Sequence, residues 1–343
     1  MIDRFGIAVV GAGMAALPHA RALRDLSDRI DVCGVYTRNP ETRQAFSREY
    51  GFPVADDLGT LVADPAVDAL LLLTPPDARL DPIRSFAEAG KHILSEKPLG
   101  RTAEEAAACI DICDRARVKL GVVFQHRFRA ASVKLRQMVE DGALGSIELV
   151  RAEVPWWRDQ SYYDAPGRGT RARDGGGVLI SQAIHTLDLM LSLTGPVAEV
   201  QALAATTGLH SLECEDFATA GLRFASGAVG SVMATTAAYP GEPESIRLDG
   251  TKGSVTLRSG ILRVHWRDGT EETIGEEATG TGGGADPMAF PHDWHMDLIS
   301  AFADAVSNGQ EPVPSGRDAL RVQQLIDAMI RSSDEGRAIR MED

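Results

Sequence analysis

The stretch Phe5-Gly6-Ile7-Ala8-Val9-Val10-Gly11-Ala12-Gly13-Met14-Ala15-Ala16 decides how this 343-residue chain is read. Ile7 to Val10 are four apolar residues in succession, the pattern of a strand buried on both faces. From Ala16 to Leu26 the apolar residues take helical spacing, so the glycines stand between a strand and a helix. In that setting G-x-G-x-x-G/A has a physical meaning. Gly11 permits a tight turn, Gly13 lets the backbone approach a pyrophosphate, and Ala16 is small enough for close packing of helix on strand. The helix start, with Met14 and Ala15, then turns N–H groups and the positive dipole end toward the phosphates. Pro18 falls in the first turn, where a missing N–H costs little. These residues predict a loop for a nicotinamide dinucleotide.

Working outward, Asp31 to Tyr36 reads as a second strand that ends at Thr37-Arg38-Asn39. A carboxylate there would bind the ribose 2′-OH of NAD. A hydroxyl followed by a guanidinium suits a 2′-phosphate instead, through charge-assisted hydrogen bonds. NADP(H) is therefore expected over NAD(H). The alternation continues with a helix at Pro40–Tyr50, a strand at Asp68–Thr74, a helix at Pro82–Ala89 and a strand at His92–Ser95. Thr102 and Glu105 form a capping-box signature for a helix to about Ala116, and Lys119–Phe124 reads as a buried strand. This is the α/β pattern of a doubly wound parallel sheet, a Rossmann domain over residues 1–123.

After a helix at Ala131–Asp141 the pattern changes to strands, at Ser146–Val154, Ala198–Thr206, Phe217–Phe224, Ala228–Ala237, Ser245–Asp249 and Ile261–Arg267. They predict an α+β domain on a mainly antiparallel open sheet, over residues 124–343. Gly282-Gly283-Gly284 reads as the start of a flexible connection. Helices at His292–Ser307 and Arg317–Ser332 close the chain and are expected to pack back on the first domain.

The net charge of −14 repels phosphate backbones and anionic lipid, so nucleic acid and membrane are not expected partners. No apolar run approaches a membrane span, and Met1-Ile2-Asp3-Arg4 lacks a signal-peptide pattern, so a cytoplasmic location is expected. The cysteines, Cys33, Cys109, Cys113 and Cys214, are scattered. Cys109 and Cys113, four apart in a helical pattern, point to a buried face, and no metal site is expected.

Two further segments carry chemistry. One is Ala89-Gly90-Lys91-His92-Ile93-Leu94-Ser95-Glu96-Lys97-Pro98. The other is Asp174-Gly175-Gly176-Gly177-Val178-Leu179-Ile180-Ser181-Gln182-Ala183-Ile184-His185-Thr186-Leu187-Asp188. With the opening loop and Gln125-His126-Arg127-Phe128, they resemble the glucose–fructose oxidoreductase, inositol dehydrogenase and rhizopine-catabolism family, Gfo/Idh/MocA. The resemblance implies that Lys97 and His185 are the catalytic pair. To oxidise a carbinol, hydride leaves carbon for nicotinamide while a base takes the hydroxyl proton, a task for neutral His. A Lys ammonium beside the same oxygen stabilises developing alkoxide charge. The resemblance also implies cofactor contacts from Thr74, Pro75, Glu96, Lys97 and Gln125, and a contact from Arg127 to nicotinamide or substrate.

Ser181 departs from the Asp or Asn that the family carries there. It can hydrogen-bond a substrate hydroxyl but cannot raise the basicity of His185, so substrate contact and simple packing both stay open. Asp188 could contact substrate or fix the imidazole, or serve only the helix surface. Arg79 stands where many members have His, which puts family-derived contacts at that position in doubt. The loop with Trp156-Trp157-Arg158, Tyr162-Tyr163-Asp164 and Arg168-Gly169-Thr170 pairs aromatic faces with polar groups. That composition suits a carbohydrate and equally a core or interface cluster, with Trp157, Tyr163 and Arg168 as the substrate candidates. By the same resemblance the sheet's open face makes a homodimer or homotetramer.

The expected activity is NAD(P)-dependent oxidation or reduction at a CH–OH group of a sugar, polyol or related cyclic compound. Two rivals keep the same loop. One is a non-enzymatic dinucleotide sensor, which the presence of both Lys97 and His185 argues against. The other is a hydrolase or lyase that oxidises its substrate transiently, which would turn over with no net change in nicotinamide absorbance.

Overall fold

Strand β1 (Phe5–Val10) lies inside a five-stranded parallel sheet, where Gly6 to Val10 are all buried. The computed structural model describes residues 4–276 and 291–341. After β1 come α1 (Ala16–Asp25), β2 (Ile30–Tyr36), α2 (Pro40–Tyr50), α3 (Leu58–Ala63) and β3 (Ala69–Leu72). Then follow α4 (Leu80–Glu88), β4 (His92–Ser95), α5 (Ala103–Ala116) and β5 (Leu120–Val122). Local chemistry sets the ends of these elements. Asn39 caps α2 by accepting from the Glu41 and Thr42 N–H groups, Pro40 sits at the first helical position, and Gly51 ends the helix at φ 78°. Thr102 Oγ1 accepts from the Glu105 N–H at the start of α5, and the Glu105 carboxylate accepts from the Arg101 N–H. The helix α3, capped by Asp57, is too short to show a helical period in the sequence.

The strand order is β2-β1-β3-β4-β5, so the chain leaves β1 in one direction and returns on its other side at β3. Ligands of doubly wound sheets bind at such a switch point, beyond the carboxyl ends of the strands. The Cys109 and Cys113 side chains lie buried in α5, and burial pushes both thiols up to about 12.

A second sheet is built from later residues. Following α6 (Ala130–Glu140) come β6 (Ile147–Pro155), the short α7 (Gln160–Tyr163) and a π-wound turn at Leu179–Ala183 that runs into α8 (Ile184–Thr194). The strands are β7 (Val197–Ala205), β8 (Phe217–Phe224), β9 (Val229–Thr235), β10 (Ser245–Gly250), β11 (Gly253–Arg258), β12 (Ile261–Trp266) and β13 (Glu271–Ile274). With the final β14 (Ile339–Arg340) they form nine strands in the order β13-β12-β11-β10-β6-β9-β8-β7-β14. Among the described residues of this sheet only β6 and β9 pair in parallel. In β8 the buried residues are Ala218, Ala220, Leu222 and Phe224, and α8 packs on β6 and β10 behind the sheet. The sheet is larger than the sequence pattern suggested. β11 follows the turn at Gly250 with Gly253, Val255 and Leu257 buried, and β13 is an edge strand whose first three residues are exposed.

The last helices are α9 (Asp293–Ser307) and α10 (Gly316–Glu335). The chain divides into one unit of Met1–Gln125 with Pro291–Leu320 and another of His126–Phe290 with Arg321–Asp343. Helix α9 thus belongs with the first sheet. It packs along α1, Phe302 meets Phe5 edge-on at 6.4 Å, and a Cβ on Gly121 would press into the Phe302 ring. The glycine run Gly282-Gly283-Gly284 lies outside the described residues.

Candidate active site

In the first unit the turn after β1 borders a cleft of about 670 Å³. Gly11 takes φ 107°, and its N–H is held by the Tyr36 carbonyl at 2.9 Å, which ties the loop to the end of β2. A Cβ there would sit 2.9 Å from the Leu73 carbonyl carbon, so only glycine lets the loop lie this close to β3. Over Gly13 a Cβ would meet nothing within 4 Å. That open space is what a phosphate needs to approach the backbone. The N–H groups of Gly13, Met14 and Ala15 have no protein acceptor among the described residues, and α1 carries no acidic residue in its first turn. The loop therefore fits a pyrophosphate. Thr37 and Arg38 line the same cleft, as do Thr74 and Pro75 beyond β3.

The second feature follows β4. Glu96 is 7 % exposed, and its carboxylate divides its oxygens: Oε1 lies 2.9 Å from His19 Nε2, and Oε2 accepts the Lys97 N–H at 2.9 Å. Burial opposes its charge, but the His19 hydrogen bond, with His19, Lys97 and His295 nearby, holds the carboxyl down to about 2. Arg79, itself buried, brackets the same peptides from the other side. Its Nε and Nη2 donate to the Thr74 carbonyl at 2.9 and 2.7 Å, Nη2 also reaches the Lys97 carbonyl at 3.2 Å, and Nη1 donates to the Glu96 carbonyl. Burial pulls the guanidinium down to about 10, which leaves it charged at neutral pH. The residue that departs from the family pattern thus joins the loop after β3 to the loop after β4.

In the second unit His185 lies one residue into α8 and is 7 % exposed. Its ring stacks on His126 at 4.7 Å, with 25° between the planes. His126 Nε2 lies 2.6 Å from Arg129 Nη2, and Arg129 pairs with the buried Glu244. A guanidinium only donates, so His126 Nε2 is an acceptor and its proton sits on Nδ1. Asp188, one turn beyond His185, grips Arg127 with both oxygens, at 2.7 Å from Nε and 2.6 Å from Nη2. Ser181 is half-buried in the π-wound turn, its N–H on the Gly177 carbonyl at 3.1 Å. Such turns are frequent at functional sites.

The aromatic loop forms one cluster around His210. Trp157 packs 5.7 Å from that ring and Tyr163 5.1 Å from it, and the Tyr163 hydroxyl meets Thr236 Oγ1 at 2.6 Å. The Arg168 guanidinium lies 4.3 Å over the Tyr162 ring, whose hydroxyl accepts from Gln182. His210 is pinned between Asp216, at 2.7 Å, and the Arg158 carbonyl, at 2.8 Å. The sequence reading missed His19, His210, Asp216, Glu215, Glu244 and His295. His19, Glu215 and Glu244 meet partners far away in the chain, and His210 and Asp216 meet each other across a loop with no motif of its own.

A doubly wound sheet with this glycine turn at its switch point defines a dinucleotide-binding unit, and the second unit of the chain carries a large, mostly antiparallel sheet. Residues 5–124 match the model of the oxidoreductase family with NAD-binding Rossmann fold, and residues 132–256 match the GFO/IDH/MocA C-terminal domain. The chain belongs to the Gfo/Idh/MocA family and is an NAD(P)-dependent oxidoreductase. It is 30% identical to the inositol 2-dehydrogenase of Rhizobium meliloti (strain 1021), over 99% of each chain. The WlbA dehydrogenase from Bordetella pertussis, in complex with NADH and UDP-GlcNAcA, superposes with a TM-score of 0.83 at 30% identity, over 99% of both chains. A levoglucosan dehydrogenase, in complex with NADH and levoglucosan, superposes with a TM-score of 0.88 over 99% of this chain and 100% of its own. At 24% identity that likeness shows the fold. The fold class and family expected from the sequence are borne out.

Proposed function

We propose that this oxidoreductase moves hydride between a nicotinamide dinucleotide and a carbinol or carbonyl carbon of a sugar, polyol or related cyclic hydroxy compound, with Lys97 and His185 as its catalytic pair. What carries the reading is that both residues sit in fixed settings in a chain that matches an inositol dehydrogenase end to end: the Lys97 amide on the Glu96 carboxylate, the His185 ring against His126. Gly11, Gly13, Met14 and Ala15 hold the pyrophosphate, and Thr37, Arg38, Thr74, Pro75, Glu96, Lys97 and Gln125 complete the cofactor's surroundings. Gln125 Oε1 is buried without a hydrogen-bond partner among the described residues, which suits it to a donor on a ligand. The cleft residues support NADP(H) over NAD(H). Asn39 is committed to capping α2, which leaves the hydroxyl of Thr37 and the exposed Arg38 at the end of β2, where Thr37-Arg38-Asn39 carries no carboxylate.

When bound, the dinucleotide supplies the hydride acceptor or donor. His185, as a neutral imidazole, takes the hydroxyl proton, and the stacked His126 fixes the plane in which its lone pair points. The Lys97 ammonium stabilises the alkoxide that forms as the proton leaves. Arg127, Trp157, Tyr163, Arg168 and Ser181 are the proposed substrate neighbours, and Asp188 acts through the Arg127 it grips.

A screen of polyols, sugars and keto-sugars, followed at the reduced-nicotinamide absorbance with both cofactors, tests the reading. We expect turnover of at least one polyol or sugar, at lower KM for NADP+ than for NAD+. Lys97→Ala and His185→Ala should each cut kcat by roughly a hundredfold or more while NADPH still binds. Near-wild-type rates in both variants would sink the mechanism, and a clear NAD+ preference would overturn the cofactor assignment.

A further inference from the structure

We propose that His19 is a positioning residue for Lys97: through the Glu96 carboxylate it ties the cofactor helix α1 to the lysine, so that seating the dinucleotide and aiming Lys97 become one event. His19 lies one turn into the helix whose start faces the cleft, and it is wholly buried. The ionised Glu96 has only acceptor sites, so His19 Nε2 carries the shared proton and donates it. The other oxygen takes the Lys97 N–H, so a single carboxylate sets the distance between the α1 backbone and the Lys97 backbone. Arg79 fixes the carbonyls of the same two residues but reaches only the loops after β3 and β4. The link to α1 passes through His19.

The environment keeps this link in one state. The His295 ring stands edge-on to His19 at 4.7 Å, and burial, reinforced by His19, holds its imidazole down at about 3. It therefore packs as a neutral wall. The three side chains also offer ligand atoms within 4.8 Å of one another, a spacing that a metal ion could use. Against that use, His19 Nε2 and both Glu96 oxygens already make ordinary hydrogen bonds, which account for the buried carboxylate without a metal.

The inference rests on the reading of Lys97 as a group that acts on substrate, and the variants are chosen to separate the two. With the fastest polyol of the screen above, His19→Leu should lower kcat roughly ten- to a hundredfold, because small misplacements of a catalytic group cost that much. The KM for that polyol should change by less than about threefold. His19→Gln, whose amide can donate from nearly the same place, should recover most of the rate. In a Lys97→Ala background His19→Leu should add nothing further. Hydrogen exchange read by mass spectrometry needs no substrate. The Lys97 amide should exchange faster in His19→Leu than in wild type, with β1 and β3 unchanged. An active Lys97→Ala refutes the underlying reading. An inactive Lys97→Ala beside an unimpaired His19→Leu refutes the link alone, as does unchanged exchange at Lys97. Stoichiometric zinc in the wild type, lost in both His19 variants, would also overturn it in favour of a metal site.

Discussion

Arg79 shows how one side chain can do structural work that no local pattern announces. Its guanidinium spreads over the carbonyls of Thr74, Glu96 and Lys97, a fork that a lysine ammonium cannot copy. Arg79→Met should take the guanidinium from the Thr74 and Lys97 carbonyls, leave the Glu96 carbonyl to Ser95 Oγ, and destabilise the protein by about 3 kcal/mol. Arg79→Lys should recover only part of the loss. Urea unfolding measures both, and a midpoint within error of wild type for Arg79→Met would show that the bracket carries no energy. The residue was visible in the sequence only as a departure, because its partners are main-chain oxygens and leave no mark on residue type. His19 was hidden for a related reason. It shares the buried face of α1 with Ala16, Ala20 and Leu23, so it reads as one more core position. Gly11, Gly13, Lys97 and His185 were legible because their chemistry depends on residue type at a fixed place beside a strand or helix.

At the scale of elements, the glycine run before α8 gains a physical reason. A Cβ on Gly177 would collide with the Glu215 carbonyl oxygen, while one on Gly176 would only touch the movable Ile180 side chain at 3.1 Å. Glu215 also satisfies the start of the π-wound turn. Its carboxylate accepts from the Gly177 and Leu179 N–H groups, both at 3.1 Å, and its carbonyl takes the Val178 N–H at 2.9 Å. This cap comes from 38 positions away, beyond any local helix-start signal. Gly177→Ala should therefore cost about 3 kcal/mol or more, by displacing the turn that carries Ser181 and leads to His185, whereas Gly176→Ala should cost less than about 1 kcal/mol. Thermal and urea melts of the pair decide it, and equal losses would remove the collision as the cause. The same scale explains a missed strand. A strand is legible where apolar residues alternate, as in β8, and fades where polar side chains fill its positions, as in the exposed β13.

For the molecule as a whole, the return of residues 291–320 to the first unit couples the two ends of the chain to pH. His295 arrives on α9, packs against His19 on α1, and is surrounded by His19, Glu96 and His292. Burial, with the repulsion of the two neighbouring histidines, lowers its imidazole from 6.5 to about 3 against the pull of Glu96. Between those values the unfolded chain binds a proton that the fold refuses, so stability falls as pH drops from about 6.5 toward 3. Glu96 acts with the same sign in a lower window. Its carboxyl is held at about 2 against an ordinary 4.5, so its contribution is present above 4.5 and fades as pH falls toward 2. Urea midpoints should therefore begin to decline just below pH 6.5, before most carboxylates titrate. His295→Phe keeps a ring beside His19 and removes the titrating group, so it should flatten the decline between pH 6.5 and 4.5 and leave the steeper fall below 4.5. An unaltered slope across the upper window in that variant would show that the proton is taken up elsewhere.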